Sequence, residues 1–221
     1  MERKLEAVGL RQSGKMGGED MGKREFFYRK LHSLLGVIPV GVFLIVHFTV
    51  NFFATRGPDA YNAAANFMGN LPLRYFLEVV VIFLPLLFHA IYGVYIALQA
   101  KQNVNTYGFF HNWMFLLQRV SGVILFLFVV WHVWGTRIQA ALGAPVNFEM
   151  MANIVSNPLY LTLYVIGVVS ATFHFANGLW GFFITWGITV TPQSQKVSAY
   201  VSGAFFVAIT VFGLSALFAF V

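Results

Sequence analysis

The stretch Leu73 to Leu98, LRYFLEVVVIFLPLLFHAIYGVYIAL, decides how the rest of the chain is read. It is apolar for the length a helix needs to cross about 30 Å of hydrocarbon, yet it carries an imidazole, His89, near its middle and an acid, Glu78, near its start. Four more runs share its character: Leu31 to Ala54, Trp113 to Gly135, Pro158 to Trp186 and Val197 to Val221. Apolar residues make up 58% of the 221 positions and charged residues 10%, against about 25% charged in a soluble domain. The expectation is an all-α integral membrane protein of five transmembrane helices. The first four form a bundle and the fifth, which lacks histidine, packs outside it. Residues 31–221 are then one membrane domain, preceded by a polar tail, residues 1–30, whose charge- and glycine-rich composition does not bury a core.

Charge orients these spans. The tail holds eight bases, Arg3, Lys4, Arg11, Lys15, Lys23, Arg24, Arg29 and Lys30, and the positive-inside rule places such a segment in the cytoplasm. Five crossings put the C-terminus outside, with Lys101 and Lys196 on the inner side and Arg56, Arg74 and Arg137 on the outer. The net charge of +6 is therefore topological, and nucleic acid is not an expected partner. The first run has full spanning length, unlike the shorter apolar core of a secretory signal. Cysteine is absent, which removes disulfides, thiolate metal sites and covalently attached haem.

Four histidines, His47, His89, His132 and His174, lie inside apolar runs at intervals of 42, 43 and 42 residues. Ionisable residues within a membrane are costly and mark function by default. At 1.5 Å per residue, His47 stands about 22 Å and His132 about 28 Å above the inner ends of the first and third helices. The second and fourth helices run the other way, so His89 is about 15 Å and His174 about 18 Å from the inner surface. The four sort into an outer pair, His47 with His132, and an inner pair, His89 with His174, about 10 Å apart along the membrane normal. That is the separation of two stacked porphyrins, and the core of a four-helix bundle is where such cofactor sites are built. Iron with two axial histidines has no open position, which suits electron transfer. A lone membrane histidine reads first as a hydrogen-bonding residue; four at matched depths favour two haems.

The inner pair share a pattern, Phe88-His89-x-x-x-Gly93 and Phe173-His174-x-x-x-Gly178, placing a glycine on the ligand's face where a flat macrocycle can approach. Gly36 and Gly122 stand eleven and ten residues before His47 and His132, and the strings Leu35-Gly36-Val37-Ile38 and Ser121-Gly122-Val123-Ile124 echo each other, hinting at a duplicated hairpin. Pro85 is expected to kink the second helix. His32 and His111 fall at the inner surface, where water satisfies them, and are weaker ligand candidates. Arg29, Lys30, Ser33, Arg119 and Asn177 lie at the same level as donors for haem propionates. At the outer end Glu78 is a candidate proton-exchanging group for a quinone; its alternative is a pair with Arg74, four residues earlier, or another outer base.

The stretch Arg29-Lys30-Leu31-His32-Ser33-Leu34-Leu35-Gly36-Val37-Ile38-Pro39, with the histidine spacing and five spans in one chain, resembles the cytochrome b subunit of succinate dehydrogenase. The nearer likeness is to the single-subunit, dihaem type of succinate:menaquinone oxidoreductases and quinol:fumarate reductases. The resemblance covers residues 25 to 221. It implies two haem b groups, His47 and His132 on the distal iron and His89 and His174 on the proximal one. It also implies flavoprotein and iron-sulfur subunits on the cytoplasmic face of a bacterial cell membrane and menaquinone as electron acceptor; whether the complex forms a higher oligomer stays open. The long tail and His111 depart from the family pattern, and the direction of catalysis stays open. Three other readings stand beside it. A dihaem anchor of a formate dehydrogenase or hydrogenase would change the soluble partner. A non-haem metal enzyme would want clustered motifs that are absent here. A His-based proton-coupled transporter would want discontinuous helices in repeated halves.

Overall fold

The computed structural model describes residues 21–101 and 103–221. Its helices, in order, are α1 (Met21–Arg56), α2 (Pro58–Gly69), α3 (Arg74–Gln99), α4 (Phe110–Ala141), α5 (Phe148–Val155), α6 (Pro158–Thr185) and α7 (Pro192–Phe218). The five long ones, α1, α3, α4, α6 and α7, have the length and apolarity to cross a membrane. There is no strand among the described residues.

Helix α1 begins ten residues earlier than the apolar run, taking in Met21 to Lys30 of the expected tail. The reason is local: Arg29 and Glu25 pair across one turn at 2.7 Å, and such i,i+4 pairs support an exposed helix. The remainder of the tail, residues 1–20, lies outside the described residues. Starts of the later helices are written in their caps. Asn157 accepts from the Leu159 and Tyr160 amides with Pro158 at the first helical position, and Thr191 with Ser194 closes a capping box before α7. Both arrangements satisfy amides that a helix start leaves without partners. Gly57, at φ +97°, makes the reversal from α1 to α2 that a side chain would strain.

Three membrane helices widen into π-helical turns: Gly36–Val40 in α1, Leu77–Phe83 in α3 and Trp134–Ile138 in α4. The first contains Pro39 and the second ends just before Pro85. A proline lacks the N–H its i−4 carbonyl needs, and a wide turn is one way to accommodate that. The disturbance expected at Pro85 takes this form.

Helix α1 packs on α3 and α6, and α4 likewise packs on α3 and α6. The four close a ring in which α1 faces α4 and α3 faces α6 across the diagonals. Helix α7 lies outside the ring against α1 and α6. Its seam with α6 is built of small and hydroxylated residues: Gly213 leaves room for Phe48 and Val168, and the Thr172 and Thr210 hydroxyls meet at 2.7 Å. In a membrane this kind of packing and hydrogen bonding, rather than apolar burial, holds helices together. Helix α3 is the contrast, because none of its residues is buried; Leu84, Leu87 and Ile91 face outward.

The short helices α2 and α5, which the apolar runs did not reveal, cap one end of the bundle. The Phe148 amide donates to Asn62 Oδ1 at 2.8 Å. Phe220, just beyond α7, stands with its ring 5.0 Å from that of Tyr61 and 4.9 Å from that of Phe148. Tyr61 and Phe220 are buried there, and burial pushes the Tyr61 phenol above its ordinary pKa. At the other end Lys30 Nζ donates to the Thr185 carbonyl and lies 4.9 Å from the Trp186 ring centre. A cation there answers the exposed carbonyls at the C-terminus of α6. Truncating buried Phe220 to alanine should cost about 3 kcal/mol, as for a packed aromatic. The same change at lipid-facing Phe218 should cost a small fraction of that, so thermal unfolding of the two purified variants separates the cap from the lipid surface.

Candidate functional site

The diagonals carry the histidines. His47 on α1 faces His132 on α4 with ring centres 5.9 Å apart, and His89 on α3 faces His174 on α6 at 6.1 Å. In both pairs the ring planes are near perpendicular, at 77° and 85°. The first pair lies nine residues from the ends of α1 and α4, toward the α2–α5 cap. The second lies ten and eleven residues from the opposite ends of α3 and α6.

Hydrogen bonds assign the tautomers of the second pair. His89 Nδ1 is 2.9 Å from the His32 carbonyl and His174 Nδ1 is 3.1 Å from the Gln118 carbonyl. A carbonyl oxygen only accepts, so each Nδ1 carries the hydrogen and each Nε2 keeps a lone pair. The Gln118 amide nitrogen, 3.5 Å from His174 Nε2, faces that lone pair as a donor should. A helical carbonyl has a second lone pair to offer, but a side chain one turn above it would block the ring. Here the residue four positions on is glycine in both cases. A Cβ on Gly36 would run into the His89 ring, and one on Gly122 would stand 2.9 Å from His174 Cε1.

The first pair is set differently. Phe43 and Phe128, each one turn before its histidine, hold their rings 5.6 Å from His47 and His132. His132 Nδ1 meets the Tyr164 hydroxyl of α6 at 3.1 Å. The backbone carbonyls of both histidines receive a side chain from one turn later, Asn51 at 2.8 Å and Thr136 at 2.6 Å.

Residues 99–213 match the family model described as the succinate dehydrogenase/fumarate reductase transmembrane subunit. Over 200 residues, the chain is 61% identical to the succinate dehydrogenase cytochrome b558 subunit of Bacillus subtilis (strain 168), covering 90% of this chain and 99% of that relative. The chain belongs to this family. It is a membrane subunit of a succinate dehydrogenase or fumarate reductase complex.

Other residues singled out in the sequence of this transmembrane subunit fall as follows. His32 is not a surface residue bathed in water; it is half-buried and stacked on His89, ring centres 4.1 Å apart and planes 4° from parallel. Gly93 and Gly178 stand opposite His32 and Gln118, so they make room for those neighbours rather than open the ligand's own face. Asn177 spends its amide on the Met114 carbonyl at 3.1 Å and on Gln118 Oε1 at 2.7 Å, which ties α6 to α4 instead of offering free donors. Arg29 pairs with Glu25, and Ser33 is half-buried one turn on. Arg119 donates from Nη1 to the Phe115 carbonyl at 2.8 Å, while its buried Nε has no partner. His111 is exposed beside Trp180, ring centres 5.0 Å apart.

Gln118 and Tyr164 were missed. Gln118 had a signal, since it precedes Gly122 by the same four residues that separate His32 from Gly36. Tyr164 had none, because its contact depends on how α6 is rotated against α4.

Glu78 takes up the pairing alternative. Its carboxylate is 2.6 Å from Arg137 Nη2 and 3.6 Å from Arg74 Nε. Glu78 and Arg137 both sit in π-helical turns, and their bond joins α3 to α4. Separately, an apolar groove of about 460 Å³ opens between the end of α1 and α2, lined by Val50, Phe53, Arg56, Ala60, Ala64 and Phe67. The pair is partly solvated, so Glu78→Gln and Arg137→Met should each destabilise by about 1 kcal/mol. The double variant should lose clearly less than their total, and thermal unfolding of all four proteins measures that coupling.

Proposed function

We propose that the chain is the membrane anchor and cytochrome b subunit of a succinate:menaquinone oxidoreductase, holding two haem b groups, each between two histidines. The observation that carries this is the pair of diagonal imidazole contacts at 5.9 and 6.1 Å. Two imidazoles bound to one metal at about 2 Å place their ring centres roughly 6 Å apart. Among the described residues no group of three or more His, Cys, Asp or Glu could enclose a metal. Two facing histidines at each level therefore need a ligand that brings its own equatorial donors, as a porphyrin does. The cytochrome name of the relative is in keeping with this.

His47 and His132 would hold one haem, and His89 and His174 the other. When bound, such six-coordinate groups pass single electrons, here from an iron-sulfur subunit toward a quinone. The residues of this chain supply the setting. The carbonyls of His32 and Gln118 keep Nδ1 protonated and Nε2 available, and Gly36 and Gly122 give the rings their place. Arg119, with its buried unpartnered Nε, fits a propionate; Arg29 and Ser33 lie at the same end of the bundle.

That end also carries Lys23, Arg24, Arg29, Lys30, Lys101 and Lys196. The positive-inside rule makes it cytoplasmic, so the flavoprotein and iron-sulfur subunits dock there and the C-terminus faces outward across a bacterial inner membrane. Menaquinone reaches the outer pair through the apolar groove beside Val50 and Phe53, which follow His47 by three and six residues. The Glu78 carboxylate is committed to arginine, so a role in quinone protonation requires that pair to open. Quinol:fumarate reduction uses the same parts in reverse, and the family description spans both directions.

A pyridine haemochrome count with a reduced-minus-oxidised spectrum should give two b haems per chain. Replacing His47 or His132 by alanine should remove one and replacing His89 or His174 the other, while Gly36→Leu should empty the inner position and spare the outer. A count of zero or one in the unaltered protein ends the proposal. In the assembled complex Ala60→Trp should fill the groove, raising the KM for menaquinone several-fold with both haems retained; an unchanged KM would move the quinone elsewhere.

A further inference from the structure

The histidines of the two halves are related by a constant offset, and one contact of the second half has no equivalent in the first. His132 follows His47 by 85 positions, and His174 follows His89 by 85. The supporting residues of the outer pair on α1 and α4 keep that offset, Phe128 answering Phe43 and Thr136 answering Asn51, while those that receive the inner pair, His32 with Gln118 and Gly36 with Gly122, are one position further apart. Tyr164 has no equivalent. The residue 85 positions earlier is Val79, an exposed residue of α3 that cannot hydrogen-bond through its side chain. Consistent with this, His47 has no ring hydrogen bond among those of the described residues, whereas His132 has the Tyr164 hydroxyl at 3.1 Å. Tyr164 is also held tightly. It is 5% exposed, and the rings of Phe128 and Trp131 stand edge-on to it with centres 5.4 and 5.3 Å away. Gly167, one turn along α6, leaves the space that Phe128 fills.

We infer that Tyr164 is the positioning residue of the outer haem site, accepting the Nδ1 hydrogen of His132 and thereby aiming its Nε2 at the iron and strengthening it as a ligand. This rests on the haem-binding reading above. With Nε2 given to a metal, Nδ1 must carry the hydrogen, and a phenol oxygen at 3.1 Å is then its acceptor. Partners of this kind fix the orientation and tautomer of a ligating histidine and raise its basicity. A more basic imidazole favours the ferric state, so loss of the acceptor should raise the potential of that one haem.

The experiment is Tyr164→Phe in the full chain, which keeps the ring against Phe128 and Trp131 and removes only the hydroxyl, with Tyr164→Gln to return an acceptor. Haem content is counted first in the unaltered protein. Two haems there sustain the parent reading, and fewer would end it before any variant is compared. Redox titration then follows both b haems separately. The expected result is two haems retained in Tyr164→Phe, the transition lost in His132→Ala displaced to higher potential, the other unmoved, and a return toward the original value in Tyr164→Gln. Both transitions unmoved, or both displaced together, would overturn the inference. If Tyr164→Phe loses the outer haem, recovery of that haem in Tyr164→Gln supports the hydrogen bond, and failure to recover it shows that the ring's packing was its contribution, overturning the proposal.

Discussion

An imidazole surrounded by hydrocarbon is costly unless its ring nitrogens find partners, and for three of the four membrane histidines the architecture supplies one for Nδ1. For His89 and His174 the Nδ1 hydrogen goes to a helical carbonyl one turn below a glycine. The glycine matters because a carbonyl inside a helix is normally roofed by the side chain one turn above it. Removing that side chain turns a stretch of ordinary backbone into an acceptor that a neighbouring helix can reach. Close approach of α1 to α3 and of α4 to α6 then follows, and across the diagonals the histidine rings face one another. An unsatisfied polar group there costs several kcal/mol, so the arrangement leaves little freedom in helix rotation.

The two halves of the ring repeat one another. Helix α1 gives His32 and Gly36 to receive His89, and α4 gives Gln118 and Gly122 to receive His174. Phe43 and Phe128 press on the other two histidines from one turn before. Where the halves diverge, one half has gained something. Gln118 reaches Asn177 and the α6 backbone, where His32 only stacks. Tyr164 bonds to His132, where Val79 leaves His47 alone. Helix α7 has no counterpart and pairs its small residues with α6, which among the described residues has the most extensive buried face.

Five spans and the sharing of levels by the histidines were legible, because apolar length and a rise of 1.5 Å per residue are properties of the sequence and of helices in general. The seat of the fifth membrane helix against α1 and α6 was not. It rests on residues such as Gly213 and Thr172, whose meaning depends on what faces them. The cap formed by α2 and α5 escaped because Pro58 to Gly69 is rich in alanine and asparagine and has no apolar run, while Phe148 to Val155 is only two turns long. His32 was misplaced for a different reason. Its closeness to the basic tail suggested water, but α1 continues past it to Met21, and the ring lies under α3. Asn177 was read as a free donor because nothing in sequence separation shows that Met114 and Gln118 lie across from it.

Helix α3 buries none of its residues and runs from Arg74 to Gln99, 26 residues, or about 39 Å. That exceeds the roughly 30 Å of acyl chain thickness it must match, and a helix too long for its bilayer leans over. Its neighbours hold it through two polar handles, His89 on the His32 carbonyl and Glu78 on Arg137. Lipid thickness is thus felt at the intramembrane histidine pair: thinner membranes press α3 to incline further, and the imidazole it carries is one of the points that resists.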